Sequence, residues 1–198
     1  LIIDGNNICY RAFYKFGNLT SRGGKKSALI FGVPKMLKPV LSKHNIEKVY
    51  AVFDGSRSAH RLFILPNYKE RDKKLGFDAE SFYHQRDVLM EMLPKFGITV
   101  VWGKAYEADD LIYSLSKRVV KKKDTAIILS SDKDFHQLIT KNTWVESPRF
   151  EATLKPHNFT HYVPEYTPET CVDYLCLDGD KSDNIPGVPS MGPATVGK

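Results

Sequence analysis

Residues 105–112 read AYEADDLI and set Glu107, Asp109 and Asp110 within four positions, just ahead of an apolar helical pattern. Carboxylates this close raise one another's pKa and destabilise a fold unless something neutralises them. A helix N-terminus offsets only about 0.3–1 kcal/mol for each. More acids follow apolar runs elsewhere: Asp4 follows LII, Asp54 follows VYAVF, and Asp132 and Asp134 follow TAIILSS. Asp180 and Asp183 lie three apart, so one helical turn or tight loop points both at one centre. Helix capping explains one Asp after a strand, but not four segments doing the same. All-oxygen donors suit Mg2+ or Mn2+. Two such ions about 3.5–4 Å apart are the usual device for in-line cleavage of a phosphodiester.

The elements that must position these acids are legible as hydrophobic patterns. The runs 1–3, 49–53, 98–102 and 125–129 read as buried strands, and 143–146 as a weaker fifth. Helical spacing joins Leu29, Ile30, Val33, Met36, Leu37, Val40 and Leu41, although Pro34 and Pro39 are expected to kink or break that segment. Val88 to Phe96 and Leu111 to Val119 give two more helical faces, and Thr167-Pro168 caps a helix expected over 168–177. Strands alternating with helices predict an α/β fold with a mostly parallel central sheet. If the strands are parallel, all the acids gather at one edge, outside the strand carboxyl ends, where open α/β sheets place their sites.

With 198 residues and 42% hydrophobic content the chain can bury one sizeable core. No apolar run approaches the length of a membrane span, and no signal-peptide pattern opens the chain. The first residue, Leu1, already reads as strand, so the natural N-terminus is expected to lie upstream. Cys9, Cys171 and Cys176 are odd in number and form no C-x-x-C, which points to a reduced, cytosolic compartment. The net charge is +6. Setting aside the nine clustered acids leaves 14 others against 29 Lys and Arg, a strongly basic body around an acidic pit. That balance suits a polyanion such as nucleic acid.

Residues 55–77 fit neither strand nor helix period and carry Arg57, Arg61, Lys69, Arg71, Lys73 and Lys74. A solvated surface loop and a nucleic-acid contact both explain that stretch. GVPSMG (187–192) reads as a Gly-bounded hairpin ahead of a helix near Pro193, whose small residues let backbone N–H groups approach phosphate. An ordinary helix connection also explains it. GPATVGK (192–198) matches the spacing of a P-loop but lacks a preceding buried strand. The stretch from Asp178 starts like a calcium loop but has Asp183 and Pro189 where Gly and Glu are required.

Together LIIDGNN, VFDGSRSAHR, PNYKERD, YEADDLI, SSDKDFHQL and DGDKSDNIPGVPSMGPATVGK resemble the structure-specific 5′-nuclease (flap endonuclease) family. The likeness is nearest to phage 5′-exonucleases and the N-terminal nuclease domain of bacterial DNA polymerase I. It covers nearly the whole chain, in the family's order. The resemblance implies an α/β nuclease core over 1–165 with a helical arch or loop at about 55–85 over the site. Residues 166–198 would begin a C-terminal helix-three-turn-helix element, with the family continuing beyond. It implies a first metal site of Asp4, Asp54, Glu107 and Asp109 and a second of Asp132, Asp134, Asp180 and Asp183, with Asp110 between. Mg2+ or Mn2+ would fill both sites, and K+ would bind at the hairpin. Lys69 and Arg71 would contact the scissile phosphate, with Asp109 and Asp132 as the central catalytic acids. Arg57, Arg61, Tyr68, Lys73 and Lys74 would handle the single-stranded 5′ end; Gly187, Val188, Gly192 and Lys198 would grip duplex phosphates. The expected enzyme is a two-metal 5′-3′ exonuclease and flap endonuclease acting in replication or repair. It would act as a monomer on branched or 5′-ended duplex DNA, and on RNA of hybrids, in bacterial or phage-infected cytoplasm, with no membrane contact. The family places the basic pair three residues apart after the Tyr, whereas Lys69 and Arg71 are two apart.

Three other readings compete. A PIN-type endoribonuclease would share the acidic α/β site without the hairpin. A haloacid-dehalogenase-like phosphatase needs a second acid at position 6, which is Asn6. A metal-free nucleic-acid-binding scaffold has no use for nine gathered acids.

Overall fold

The computed structural model describes residues 1–70, 76–121, 124–191 and 195. Arg71, Lys73, Lys74, Gly192 and Lys198 lie outside the described residues. Six strands form one sheet: β1 (Ile2–Asp4), β2 (Val49–Phe53), β3 (Ile98–Trp102), β4 (Ala126–Leu129), β5 (Thr143–Ser147) and β6 (Ala152–Leu154). Their spatial order is β3-β2-β1-β4-β5-β6. The first five strands are parallel and β6 is antiparallel to β5. The order reverses beside β1, because the chain builds outward to β3 and then returns to place β4 on the other side. Such a switch point opens a crevice at the strand carboxyl ends.

Both faces of the sheet are covered, which is why its strands read as apolar runs rather than as alternating ones. Ile3, Ala51, Phe53 and Leu129 pack on one face with α1 (Gly5–Phe16), α2 (Ala28–Lys43) and α4 (Ala79–Met92). Ile2, Val52, Ile128 and Val145 face the other side, toward α5 (Ala108–Lys121), a 3-10 turn at Lys133–Leu138 and α6 (Phe159–Tyr162). The two-residue strand period delivers neighbours to opposite layers. Cys9 and Cys171 are buried, Cys176 is exposed, and all three are free. Among the described residues no helix is long and apolar enough to cross a membrane.

Several elements differ from the sequence expectations. Helix α2 runs unbroken through Pro34 and Pro39. Both prolines lie on its exposed face, where water can satisfy the carbonyls of Ile30 and Lys35 that lose their helical partners. The helix expected from 168 begins later, as α7 (Cys171–Asp178), because Thr167 and Thr170 close a turn with their own backbone and hydroxyls. Strand β6, helix α1 and the short α3 (Ala59–Ile64) are additional to the elements expected from the sequence, although Ile8, Cys9 and Ala12 do fall on one buried face of α1. Residues 79–85, inside the expected arch, form the first half of α4 and bury Phe82 and Gln85. Of the expected helix-three-turn-helix element, the described residues contain α7 and the loop that follows it.

Candidate active site and metal centre

The parallel register carries the acids to one edge. Asp4 ends β1 level with Val52, so Asp54 emerges two positions further along β2. Asp4 caps α1 by accepting from the Asn7 N–H at 3.1 Å, and it accepts from the buried Ser130 hydroxyl at 2.7 Å. Asp54 caps α5 from a different strand, accepting from the Ala108 N–H at 2.7 Å and from the Asn6 amide. Asp132 caps the 3-10 turn through the Asp134 N–H at 3.0 Å. Glu107 immediately precedes α5, and Asp109 and Asp110 lie in its first turn. Asp180 and Asp183 arrive on the loop after α7.

Burial and crowding push most of these carboxyls up. Asp4 is raised to about 7 by burial, then by Asp132 and Asp54, against the hydrogen bonds of Ser130 and Asn7. Asp109 is raised to about 8 by burial, helped by Asp4, Asp132 and Asp54 and opposed by Lys69. Asp134 is raised to about 6 by burial and by Asp132, Asp180 and Asp183. Burial raises Asp132 as well, with Asp183 and Asp180 adding to it. Glu107 goes the other way, to about 2. Burial alone would raise it, but the Lys69 ammonium, the Ser58 N–H and Arg61 outweigh that cost.

Lys69 lies inside the acid cluster. Its ammonium is 2.8 Å from Glu107, 3.8 Å from Asp109 and 3.7 Å from Asp183. Burial works against that charge, and the surrounding carboxylates raise its pKa regardless. Tyr68 is buried beside it and donates its hydroxyl to Glu107 at 3.1 Å. Arg61 forks onto Asp110 at 2.7 and 3.1 Å and reaches Glu107 at 3.2 Å. Asp110 therefore faces a cation of α3. Asp180 is occupied by Ser182, through N–H and hydroxyl, and by Lys133 at 3.3 Å. Consistent with these pairings, no three described acidic, His or Cys side chains converge as a ready-made ligand set.

The residues nevertheless suit a hard cation. The donors are all carboxylates, and Lys69 already supplies positive charge at their centre. Asn6 Oδ1, beside Asp54, and Ser131 Oγ, next to Asp132, are buried without a hydrogen-bond partner. The water shell of an ion supplies donors to groups of that kind. A cavity of about 520 Å3 opens alongside, with Asp109, Asp134 and Asp183 on its charged wall and Ile64, Leu65 and Phe135 on its apolar wall.

Of the residues expected to hold nucleic acid, Arg61, Tyr68 and Lys69 meet at Glu107, and the other described ones do not join them there. Arg57 is exposed next to the site. Gly187 packs its backbone against the end of α7: a Cβ there would meet the Asp178 carbonyl oxygen at 2.4 Å. Val188 donates its N–H to the Leu177 carbonyl and exposes its side chain. Ser58, Ser130, Asn6 and Asn7 escape the sequence reading. Each is a small polar residue whose partner is 48 to 126 positions away, and the available signal is a polar residue within about four positions of an acid that follows a strand.

The family model for the 5′-3′ exonuclease N-terminal resolvase-like domain matches residues 1–169. The chain is 34% identical over 197 residues to the 5′-3′ exonuclease of Buchnera aphidicola subsp. Schizaphis graminum, covering 99% of this chain and 67% of that one. It is 32% identical over 207 residues to DNA polymerase I of Mycobacterium tuberculosis H37Rv, covering 100% of this chain and 22% of the polymerase. The solved T5 5′-exonuclease with bound zinc aligns with a TM-score of 0.79 at 20% identity, covering 98% of this chain and 72% of that one.

Proposed function

The chain belongs to the 5′-3′ exonuclease N-terminal domain family, and from that premise we propose that it is a metal-dependent, structure-specific 5′-nuclease acting on DNA. The observation that supports the reading is the placement of acids from β1, β2, α5 and the segment after β4 at the switch-point edge, where burial first, and neighbouring carboxylates second, raise Asp4, Asp109, Asp132 and Asp134. Asp4, Asp54, Glu107 and Asp109 would hold one Mg2+ or Mn2+, and Asp132, Asp134, Asp180 and Asp183 a second. Bound there, the ions would lower the pKa of an attacking water and stabilise charge on the phosphodiester. Glu107 and Asp183 would release the Lys69 ammonium, which then has the reach to meet the scissile phosphate and stabilise its developing charge. Arg61 holds Asp110 and Glu107 in place while Arg57 faces the incoming strand. Lys73, Lys74 and Arg71 extend the same basic stretch. Ile64, Leu65 and Phe135 add an apolar lining to the cleft. The reading takes the chain as a monomer on duplex DNA with a single-stranded 5′ end, with K+ at the 187–192 hairpin and Gly187, Val188, Gly192 and Lys198 near duplex phosphates.

The deciding experiment is cleavage of a 5′-flap duplex and of single-stranded RNA with Mg2+, with Mn2+ and with chelator. Metal-dependent cutting of the flap supports the reading. Cutting of RNA alone would replace it with an endoribonuclease.

A further inference from the structure

Lys69 reaches the acids because its backbone is held in an uncommon conformation. Its φ is +54°, in the left-handed region where a Cβ crowds the following carbonyl oxygen. Three hydrogen bonds from the loop after α7 hold it there. The Lys69 N–H donates to the Asp183 carbonyl at 3.0 Å. The Asn184 side-chain amide donates to the Asn67 carbonyl at 3.0 Å and to the Glu70 carbonyl at 2.7 Å, one on each side of Lys69. The same turn is closed by the Glu70 N–H on the Asn67 carbonyl.

The loop that provides these bonds is itself fixed. Asp180 and Ile185 exchange both backbone hydrogen bonds, and the Asp180 carboxylate accepts from Ser182. Gly179 and Gly187 touch backbone to backbone, since a Cβ on Gly179 would meet the Gly187 nitrogen at 2.4 Å. Asn184 adopts φ +58°, a conformation that Asn tolerates better than most residues. One amide group with two donors thus spans two carbonyls more than a hundred residues away in the chain.

We propose that Asn184 is a positioning residue for Lys69: by clamping the 67–70 turn it aims the Lys69 ammonium into the acid edge and ties that ammonium to the loop leading into the duplex-binding hairpin. Placement of Lys69 stands on geometry alone, whereas its consequence for cleavage rests on the nuclease reading above.

Two variants test it. Asn184→Gly deletes the amide while keeping a residue that accepts a positive φ. Asn184→Asp keeps the shape and replaces the two N–H donors with an acceptor facing two carbonyls. The first measurement needs no catalysis. An amine-acylating reagent is applied to the metal-free protein and labelling at each lysine is read by peptide mass spectrometry. Lys69 should label slowly relative to the exposed Lys104 in the wild type, and several-fold faster in both variants. The second compares single-turnover cleavage and flap-duplex dissociation constants for wild type, Asn184→Gly, Lys69→Ala and the double variant. Asn184→Gly should slow cleavage by about 10- to 100-fold, as expected for a misplaced cation, with the dissociation constant changed less than about twofold. In the Lys69→Ala background it should cost little more. Wild-type labelling of Lys69 in both variants overturns the proposal. Equal proportional losses with and without Lys69 also overturn it, because they mark a merely structural amide. If the wild type cuts no flap substrate, the nuclease reading falls, and the labelling result alone decides the positioning role.

Discussion

Two buried acids from strands of the same sheet live under opposite electrostatics. Glu146 on β5 accepts from Lys43 at 2.9 and 3.1 Å, from His44 at 2.8 Å and from the Thr153 hydroxyl at 2.6 Å. Burial alone would raise its pKa, yet those partners bring it below the usual carboxylate value. Asp4 at the end of β1 is as buried as Glu146, at 5% against 7% exposure. Its donors are a neutral hydroxyl and a backbone N–H, and its charged neighbours are other acids. Burial is the largest upward cause at both acids, and only at Glu146 do hydrogen-bonding and cationic partners outweigh it. The separation lies in whether protein cations close the balance of charge. Glu107 makes the point inside the site, where Lys69 and Arg61 bring it down to about 2 while Asp109, two residues on, rises to about 8. Asp4, Asp109, Asp132 and Asp134 lack such compensation, and burial together with neighbouring acids raises them.

The largest effect should come from removing charge at the unbalanced edge. Asp132→Asn and Asp134→Asn should each lower the cleavage rate by at least about a hundredfold, the scale of lost transition-state charge stabilisation. Duplex affinity should persist. Single-turnover rates at ordinary Mg2+ check this, and near-normal turnover in either variant would remove that residue from the site.

At the balanced acid the loss should appear in stability instead. Glu146→Gln leaves Lys43, His44 and Thr153 short of an acceptor and should destabilise the fold by about 1–3 kcal/mol. Urea titrations measure it, and cleavage per folded molecule should stay at the wild-type level. A stable variant would show the network to be dispensable.

The pH dependence of the metal-free protein should be smaller in size and opposite in sign at the two regions. Asp4, Asp109 and Asp134 have raised folded pKa values near 7, 8 and 6. Between about pH 4 and those values the folded state binds more protons than the unfolded one, so stability falls as pH rises and levels off above about 8. Glu146 has a lowered folded pKa, so its contribution is present above the unfolded value and lost as pH falls toward the folded one. Thermal melts with chelator from pH 4 to 9 should show the decline. Asp109→Asn should flatten it and should not lower the melting temperature at neutral pH. A clear drop in that variant would identify Asp109 as a structural hydrogen-bonding group, like Glu146.

The smallest effect should be on metal affinity. Lys69 competes with any cation for Glu107, Asp109 and Asp183, so Lys69→Met should tighten Mn2+ binding by a few-fold, about 1 kcal/mol or less. Calorimetry on the metal-bound and metal-free protein measures it. Weaker binding would mean that Lys69 organises the acids instead of occupying their place.

Much of this was legible without coordinates. LII, VYAVF, ITVVW and TAIIL are continuous apolar runs because parallel strands are buried on both faces, and each ends close to an acid of the site. Those signals are local, written in a few consecutive residues. Even the departures at Pro34 and Pro39 have a local cause that the pattern hid: the prolines fall on the solvent face of α2, where lost backbone bonds go to water. What the sequence determined by itself is therefore the α/β class and the gathering of acids at one sheet edge. Which partner each acid meets was decided by tertiary structure. Asp109 and Asp110 are adjacent and identical in type, yet one faces the crowded edge and the other faces Arg61, 49 residues away. Lys69 enters the cluster through Asn184, which bonds across 117 and 114 positions. Charge balance depends on distances between side chains brought together by packing, and no local pattern encodes distances across such separations.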